Sequence, residues 1–141
     1  MSKGFSATET IDRPIGEVWR FMTDWSKTTT WMRGIDAMRP LGEGPVREGT
    51  RLAFSARGAE RESTIVAWQP PNALTLRSVQ GPVTAIYEYR CQGVGGRTVV
   101  TLDARCSAEG ILWKLAHPMI VFMMKRVDGG QLAALKRCLE T

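Results

Sequence analysis

Few residues in this 141-residue chain carry obvious chemistry. The only histidine, His117, lies beside Pro118 in an apolar C-terminal segment, and histidine is the most common general acid or base. No HExxH spacing, phosphate loop or GxSxG elbow accompanies it, so a lone histidine finds no evident partner for a metal. We therefore take His117 as the first candidate for catalysis and expect no metal and no cofactor.

The thiols are the second candidate chemistry. Cys91, Cys106 and Cys138 are odd in number and have no CxxC spacing, which argues against a zinc cluster and against a secreted disulfide framework. Cys91 and Cys106 alternate with polar residues on two neighbouring predicted strands. They can act as nucleophiles only if a nearby cation lowers the thiol pKa, so we expect reduced cysteines that pack in the core.

Charge and hydropathy exclude several classes of function. The formal net charge is +5, but the Lys and Arg residues are scattered and form no basic run, so we expect no nucleic-acid partner. Residues 1–5 lack the apolar run of a signal peptide. No stretch of about 18 apolar residues is present to span a bilayer. We expect a cytoplasmic protein without stable membrane insertion.

The middle of the chain alternates apolar and polar residues between Gly- and Pro-rich turns, one of them at residues 57–59. In the clearest segment, Tyr87 and Tyr89 share an apolar face, while Glu88 and Arg90 point to the other side. The opposite register would bring Glu88 and Arg90 inside. Six or seven strands without an intervening helix predict an antiparallel meander, with strands near 5–12, 35–41, 50–56, 62–68, 73–79, 83–91 and 98–106.

Helical spacing appears in two places. Residues 15–23 carry one apolar stripe, and a second short helix or helical turn is expected near residues 25–32. Residues 108–141 predict a long apolar helix that must close on the sheet. Pro118 and Gly129-Gly130 interrupt it. We expect a leading half from Glu109 to Val127 that covers the ligand entrance, and an anchoring half from Gln131.

The opening Ile11-Asp12-Arg13-Pro14 followed by Glu17-Val18-Trp19 resembles that of a known superfamily. Further matches are Asp24-Trp25, Trp31, Gly42-Glu43-Gly44-Pro45 with Gly49, Val66-Ala67-Trp68-Gln69-Pro70-Pro71 with Leu74, and the helix from Leu132 to Leu139. On these motifs the whole chain resembles the START-like (SRPBCC) superfamily. That superfamily includes the polyketide cyclase/dehydrase and lipid-transport group and shares its architecture with the birch-pollen allergen.

The resemblance implies an α+β helix-grip fold in one domain, residues 1–141. In that fold a seven-stranded curved antiparallel sheet wraps around a long C-terminal helix, and two short helices follow the first strand. It also implies an apolar cavity between sheet and helix for a lipid, a sterol, a polyketide or a similar small hydrophobic ligand.

Aromatic rings and thioethers suit such a cavity because they adapt to an apolar ligand, and tyrosine hydroxyls can fix a polar group. The alternative is that the same residues only fill the core. The candidate lining residues are Trp31, Leu52, Phe54, Tyr87, Tyr89, Leu102, Trp113, His117, Met119, Phe122 and Met123.

Three functions remain open at this point. The first is binding, with or without transport, of a small hydrophobic ligand by a monomer or homodimer. The second is an aromatase/cyclase or dehydratase on the same scaffold, with His117 and the tyrosines as acid/base candidates. The third is a protein-interaction module that presents an exposed helix or edge strand. Fold alone does not choose among them.

Overall fold

The computed structural model describes residues 3–56 and 58–141. Met1, Ser2 and Arg57 lie outside this description. The first two residues of the N-terminal segment and one residue of the turn predicted at residues 57–59 are therefore not described. Seven strands form one antiparallel sheet in the order β1-β7-β6-β5-β4-β3-β2, which confirms the predicted sheet. The strands are β1 (Lys3–Ile11), β2 (Ile35–Pro40), β3 (Arg51–Ala56), β4 (Ala59–Gln69), β5 (Ala73–Gln80), β6 (Val83–Val94) and β7 (Arg97–Ala108).

The alternation along β6 decides which face of the sheet is internal. Tyr89 is buried and pairs with Leu102 of β7, while Glu88 pairs with Asp103. On the outer face Arg90 makes ion pairs with both Glu88 and Asp103. The register with Tyr87 and Tyr89 inside is therefore the one the chain adopts, and the register that buries Glu88 and Arg90 is excluded.

Helices close the inner face as the helix-grip prediction requires. α1 (Ile15–Met22) buries the stripe of Val18, Trp19 and Met22, and a 3-10 helix (Trp25–Thr30) follows it. α2 (Ile111–Asp128) and α3 (Gln131–Glu140) form the C-terminal segment. Within the described residues, no helix is long and apolar enough to cross a membrane.

The predicted break in the C-terminal helix falls at Gly129 and Gly130, whereas α2 continues through Pro118. Glycine is required at the first of these positions because a Cβ on Gly129 would lie 2.4 Å from the carbonyl oxygen of Lys125. That same oxygen accepts a 2.8 Å hydrogen bond from the Gly129 amide. The chain therefore ends α2 with a backbone approach that a side chain would block.

The two halves differ in how they are held. α3 packs against β1, β7, α1 and the 3-10 helix, and it buries Leu132, Leu135 and Leu139. α2 contacts β7 and β1, and Met124 is its only fully buried residue. The anchoring role that the sequence predicts for the second half matches this packing.

Truncating one leucine in each half tests this difference. Leu135 has an exposed fraction of 0% and Leu112 one of 80%. We expect Leu135→Ala to lower the free energy of unfolding by about 2–5 kcal/mol, because it removes buried methyl groups and leaves a cavity. The matched change Leu112→Ala should alter it by less than about 0.5 kcal/mol. Urea unfolding followed by circular dichroism measures both, and equal losses would contradict the assignment.

Candidate functional site

A cavity of about 260 Å³ opens between the inner face of strands β2–β6 and the junction of α2 with α3. The helices pack mainly over β1 and β7, so the concave face of the remaining strands is not completely covered. Most of the lining is apolar, and its apolar members include Met32, Ile35, Met38, Phe54, Leu76 and Val127. Arg33, Gly34 and Gln80 are exposed members of the lining and mark the side that faces solvent.

One wall of the cavity is polar. The Tyr87 hydroxyl donates a 2.5 Å hydrogen bond to Asp128 Oδ2, and the Tyr89 hydroxyl donates one of 2.5 Å to Gln131 Oε1. Gln131 Nε2 in turn donates to Asp128 Oδ1 at 3.3 Å. All four side chains line the cavity. The network joins β6 to the end of α2 and the start of α3.

The surroundings hold both phenols in the protonated form. Burial, reinforced by the neighbouring Asp128 carboxylate, raises the pKa of Tyr87 far above its usual value. Burial and Asp128 also raise the pKa of Tyr89, although its hydrogen bond to Gln131 opposes that shift. Each hydroxyl hydrogen is used within the network, so towards a ligand the two oxygens act as acceptors.

A second polar group lies on the same sheet face, on strands β4 and β5, where Ser78 pairs with Ala85, two residues before Tyr87. Ser63 of β4 and Ser78 of β5 share a 2.6 Å hydrogen bond between their hydroxyls. Arg61 of β4 lies beside them, half-buried, and Arg33 is exposed. Neither arginine forms an ion pair within the described part of the chain. This side of the cavity therefore presents uncompensated positive charge.

Three of the residues predicted for the cavity lie in its lining: Phe54, Tyr87 and Tyr89. Trp31, Leu52 and Leu102 are buried in the core instead, outside the lining. Trp31 packs edge-on against Tyr89, with ring centroids 5.8 Å apart, so it supports the cavity wall from behind. Its Nε1 is buried and has no hydrogen-bond partner among residues 3–56 and 58–141.

The expectation for α2 needs correction. Trp113, Met119 and Phe122 are exposed and do not line the cavity. Met123, also largely exposed, borders a separate hollow of about 280 Å³ with Ile120, Met124 and Cys106. About 100° per residue places Met119 and Phe122 roughly opposite Met124, the residue that faces the sheet, and Met123 to the side. Trp113 falls on the same side of the helix as Met124 but about three turns earlier, where it does not reach the cavity. Since α2 is apolar on both sides, its sequence does not reveal which side turns inward.

His117 has a structural role in this arrangement. Its Nε2 donates to the carbonyl oxygen of Cys106 at 2.8 Å and lies 3.5 Å from the Cys106 sulfur. His117 is not part of the cavity lining. The side chain predicted as an acid/base candidate thus ties α2 to β7.

The cysteines are poor nucleophiles here. Burial raises the pKa of Cys91 to about 12 and also raises the pKa of Cys106. Both are buried, and Cys138 is half-buried. Among the described residues no group of three or more His, Cys, Asp or Glu side chains could hold a metal ion.

Sequence reasoning missed the polar residues of the cavity. Asp128 is not among the candidate residues of the sequence, although a carboxylate four residues after the inward-facing Met124 falls on the same helix face. Arg61 and Ser63 were overlooked in the same way. They share a strand face with Ile65, which is fully buried, so the alternation of β4 already places them inward.

Comparison with known proteins identifies the fold and the family of the chain. Among solved structures, the Zhui aromatase/cyclase from Streptomyces sp. R1128 has a TM-score of 0.77 at 18% identity, covering 99% of this chain and 94% of that one. A START superfamily protein from Mycobacterium smegmatis has a TM-score of 0.76 at 12% identity, covering 96% of both. Ara h 8.0201 has a TM-score of 0.70 at 14% identity, covering 99% of both. A search of curated proteins gives no match.

These structures share the START-like helix-grip fold, and at such identities the likeness concerns the fold alone. A family model described as polyketide cyclase / dehydrase and lipid transport matches residues 3–140. The chain therefore belongs to the polyketide cyclase/dehydrase and lipid-transport family.

Alkaline titration tests the state of the polar wall. Tyr87 and Tyr89 are the only two tyrosines, so absorbance at 295 nm reports on them alone. A phenol whose pKa is raised by folding stays protonated while the unfolded chain ionises near pH 10, so stability falls as the pH rises above about 10. We expect no tyrosinate signal before unfolding.

The control is the same titration in guanidinium chloride, where both phenols should ionise with a pKa near 10. A native protein that titrates both tyrosines near pH 10 while its circular dichroism is unchanged would contradict the buried network.

Proposed function

We propose that the protein binds a small hydrophobic ligand of the lipid, sterol or polyketide kind in the cavity between the sheet and the α2–α3 junction. The observation that carries this proposal is a mostly apolar cavity of about 260 Å³ whose lining includes two polar groups, the Tyr87–Asp128–Gln131–Tyr89 network and the group of Ser63, Ser78 and Arg61. Binding sites for small molecules have this composition, with a few polar groups that fix orientation. The volume is slightly below the usual range of about 300–1,000 Å³ for such sites and favours a compact ligand.

The polar walls define complementary ends for this ligand. Near Tyr87 and Tyr89 the available atoms are acceptor oxygens, so the inner end should carry a donor such as a hydroxyl or phenol. Near Arg33 and Arg61 the charge is positive, so the outer end should carry a carbonyl or carboxylate. A flat ring system with a hydroxyl at one end and a carboxylate at the other satisfies both walls.

Filling the cavity tests the binding proposal. Ala85 lines the cavity, and Ala85→Phe places a ring in the space that a ligand would occupy. We expect the fluorescent probe 6-hydroxy-2-naphthoic acid to bind the native protein. Its affinity for the Ala85→Phe variant should be lower by about tenfold or more. Fluorescence titration measures both.

The matched control is Ala37→Phe, the same change at an exposed position of β2 outside the cavity lining. It should bind the probe as the native protein does. If Ala85→Phe kept native affinity while remaining folded, or if naphthalene-2-carboxylate, 2-naphthol and the hydroxy acid all failed to bind the native protein, the cavity would not be the site.

The Tyr87–Asp128 pair favours a second candidate, cyclase or dehydratase activity on a polyketide-type substrate. A carboxylate that accepts a phenol hydrogen inside an apolar cavity is a pair able to hold and move a proton. In this reading Asp128 acts as the base that removes a proton from substrate carbon, and Tyr87 orients the carboxylate. His117 takes no part, because its Nε2 is bonded to the Cys106 carbonyl.

Substitution of Asp128 distinguishes the two candidates. For catalysis we expect Asp128→Asn to lower the rate of cyclised or dehydrated product from a poly-β-ketone substrate by about a hundredfold or more, since a positioned base contributes that much. His117→Gln serves as the matched control and should leave the rate unchanged. Liquid chromatography with mass spectrometry measures the product. A native protein that binds the substrate without forming product would eliminate this candidate and leave binding alone.

A further inference from the structure

The outer face of α2 is an exposed apolar surface. We define it by six side chains on one side of the helix, of which Leu112 is 80% exposed, Leu115 75%, Met119 71% and Phe122 59%. Ile111 and Met123 complete the set and are also exposed. An isolated exposed leucine is ordinary, but a contiguous patch of several hundred Å² marks an interaction surface.

The charges around the outer face of α2 are positive. Lys114, Lys125 and Arg126 are exposed on the same helix, and none of them forms an ion pair among the described residues. The only acidic residue of α2 is Asp128, which accepts a hydrogen bond from Tyr87 on the inner side. Glu109 precedes the helix. The partner that complements this face is therefore negatively charged.

The outer face also lacks the groups that protein partners use. α2 contains no Ser, Thr, Asn or Gln, and its His117 is bonded inward to Cys106. A protein interface normally carries about one hydrogen bond per 100–200 Å². Lipid acyl chains need none, and long cationic side chains can lie along apolar surface with their charges among headgroups. These properties favour a lipid surface over a protein.

A second copy of the chain fits this face poorly. A symmetric antiparallel contact would bring Lys125 and Arg126 of each copy towards the start of the other copy's helix, where one exposed carboxylate, that of Glu109, meets two cations. Desolvating unpaired cations is costly, so self-association through the outer face is disfavoured. Trp113, half-exposed in the first turn of α2, is a residue type that prefers the boundary between water and lipid.

We propose that the outer face of α2 docks reversibly on an anionic lipid bilayer. The helix lies in the plane of the interface, with its six apolar side chains among the acyl chains and Lys114 and Lys125 at the headgroups on one flank. Arg126 falls within the apolar set at 100° per residue, and its long side chain extends so that the guanidinium reaches the headgroups. Docking uses exposed residues only, and it does not depend on the ligand-binding function proposed above.

Vesicle flotation tests this inference. The probes are vesicles of phosphatidylcholine alone and of phosphatidylcholine with phosphatidylglycerol, at low and high salt. We expect binding to the anionic vesicles that weakens with salt. Phe122→Glu should lower it by about tenfold or more, since it places a carboxylate in the apolar contact. Lys125→Gln with Arg126→Gln should lower it by about tenfold to thirtyfold, because each cation adds attraction to the anionic surface.

The matched control is Val79→Glu, the same charge change at an exposed apolar residue of β5 away from α2. This variant should float as the native protein does. Ala85→Phe, which fills the ligand cavity, should also float as the native protein does. Its flotation therefore distinguishes a loss of docking from a loss of ligand binding. Absence of flotation with anionic vesicles, or equal flotation with neutral ones, would overturn the inference. A dimer in analytical ultracentrifugation that Phe122→Glu dissociates would show that a second copy covers the face, and would overturn it as well.

Discussion

Two hydrogen bonds from neighbouring tyrosines of β6 hold the C-terminal segment at the distance from the sheet that creates the cavity. Tyr87 reaches Asp128 at the end of α2, and Tyr89 reaches Gln131 at the start of α3. Because Tyr89 and Gln131 are buried, losing either partner would leave a polar atom without water, which costs about 1–3 kcal/mol. The two bonds therefore fix where the segment divides and how close its two parts come to β6.

The division of the segment follows from the same constraint. α3 offers Leu132, Leu135 and Leu139 to the core and packs against several elements at once. α2 projects past the junction over β7 and β1, where Met124 and the His117 bond to Cys106 attach its inner side. The sheet has one concave face, so α2 can bury only one of its two apolar sides. Its other side remains at the surface.

Strand positions could be predicted from sequence because one face of each strand is buried. In β6, Tyr87 and Tyr89 alternate with Glu88 and Arg90, and a shift of one residue would bury both charges. The antiparallel pairing of successive strands from β2 to β7 and the break at Gly129 and Gly130 also agree with expectation. Both outcomes depend on local signals, namely alternation, turns and glycine, which a single sequence displays.

The orientation of α2 and the polar wall could not be predicted, for a different physical reason. In α2 apolar residues occur on both sides, so helical periodicity does not indicate which of Met119 and Met124 faces the sheet. The partners Tyr87 and Asp128 are 41 positions apart, and no local pattern records that distance. Arg61 and Ser63 look like ordinary polar members of a strand until the cavity opposite them is known. Polar groups inside an apolar cavity are the feature that binary patterning cannot anticipate.

The Tyr87–Asp128 hydrogen bond also separates two spaces. Ala85, Tyr87, Val127 and Asp128 border both the main cavity and the hollow that extends to Met123. The Tyr87 hydroxyl and the Asp128 carboxylate therefore stand between the two spaces, and the hollow on the far side reaches the outer face of α2 at Met123. Because Asp128 also accepts a hydrogen bond from Gln131, the carboxylate is held from α3 as well as from β6, which keeps the polar network at the boundary between the ligand cavity and the exposed helix.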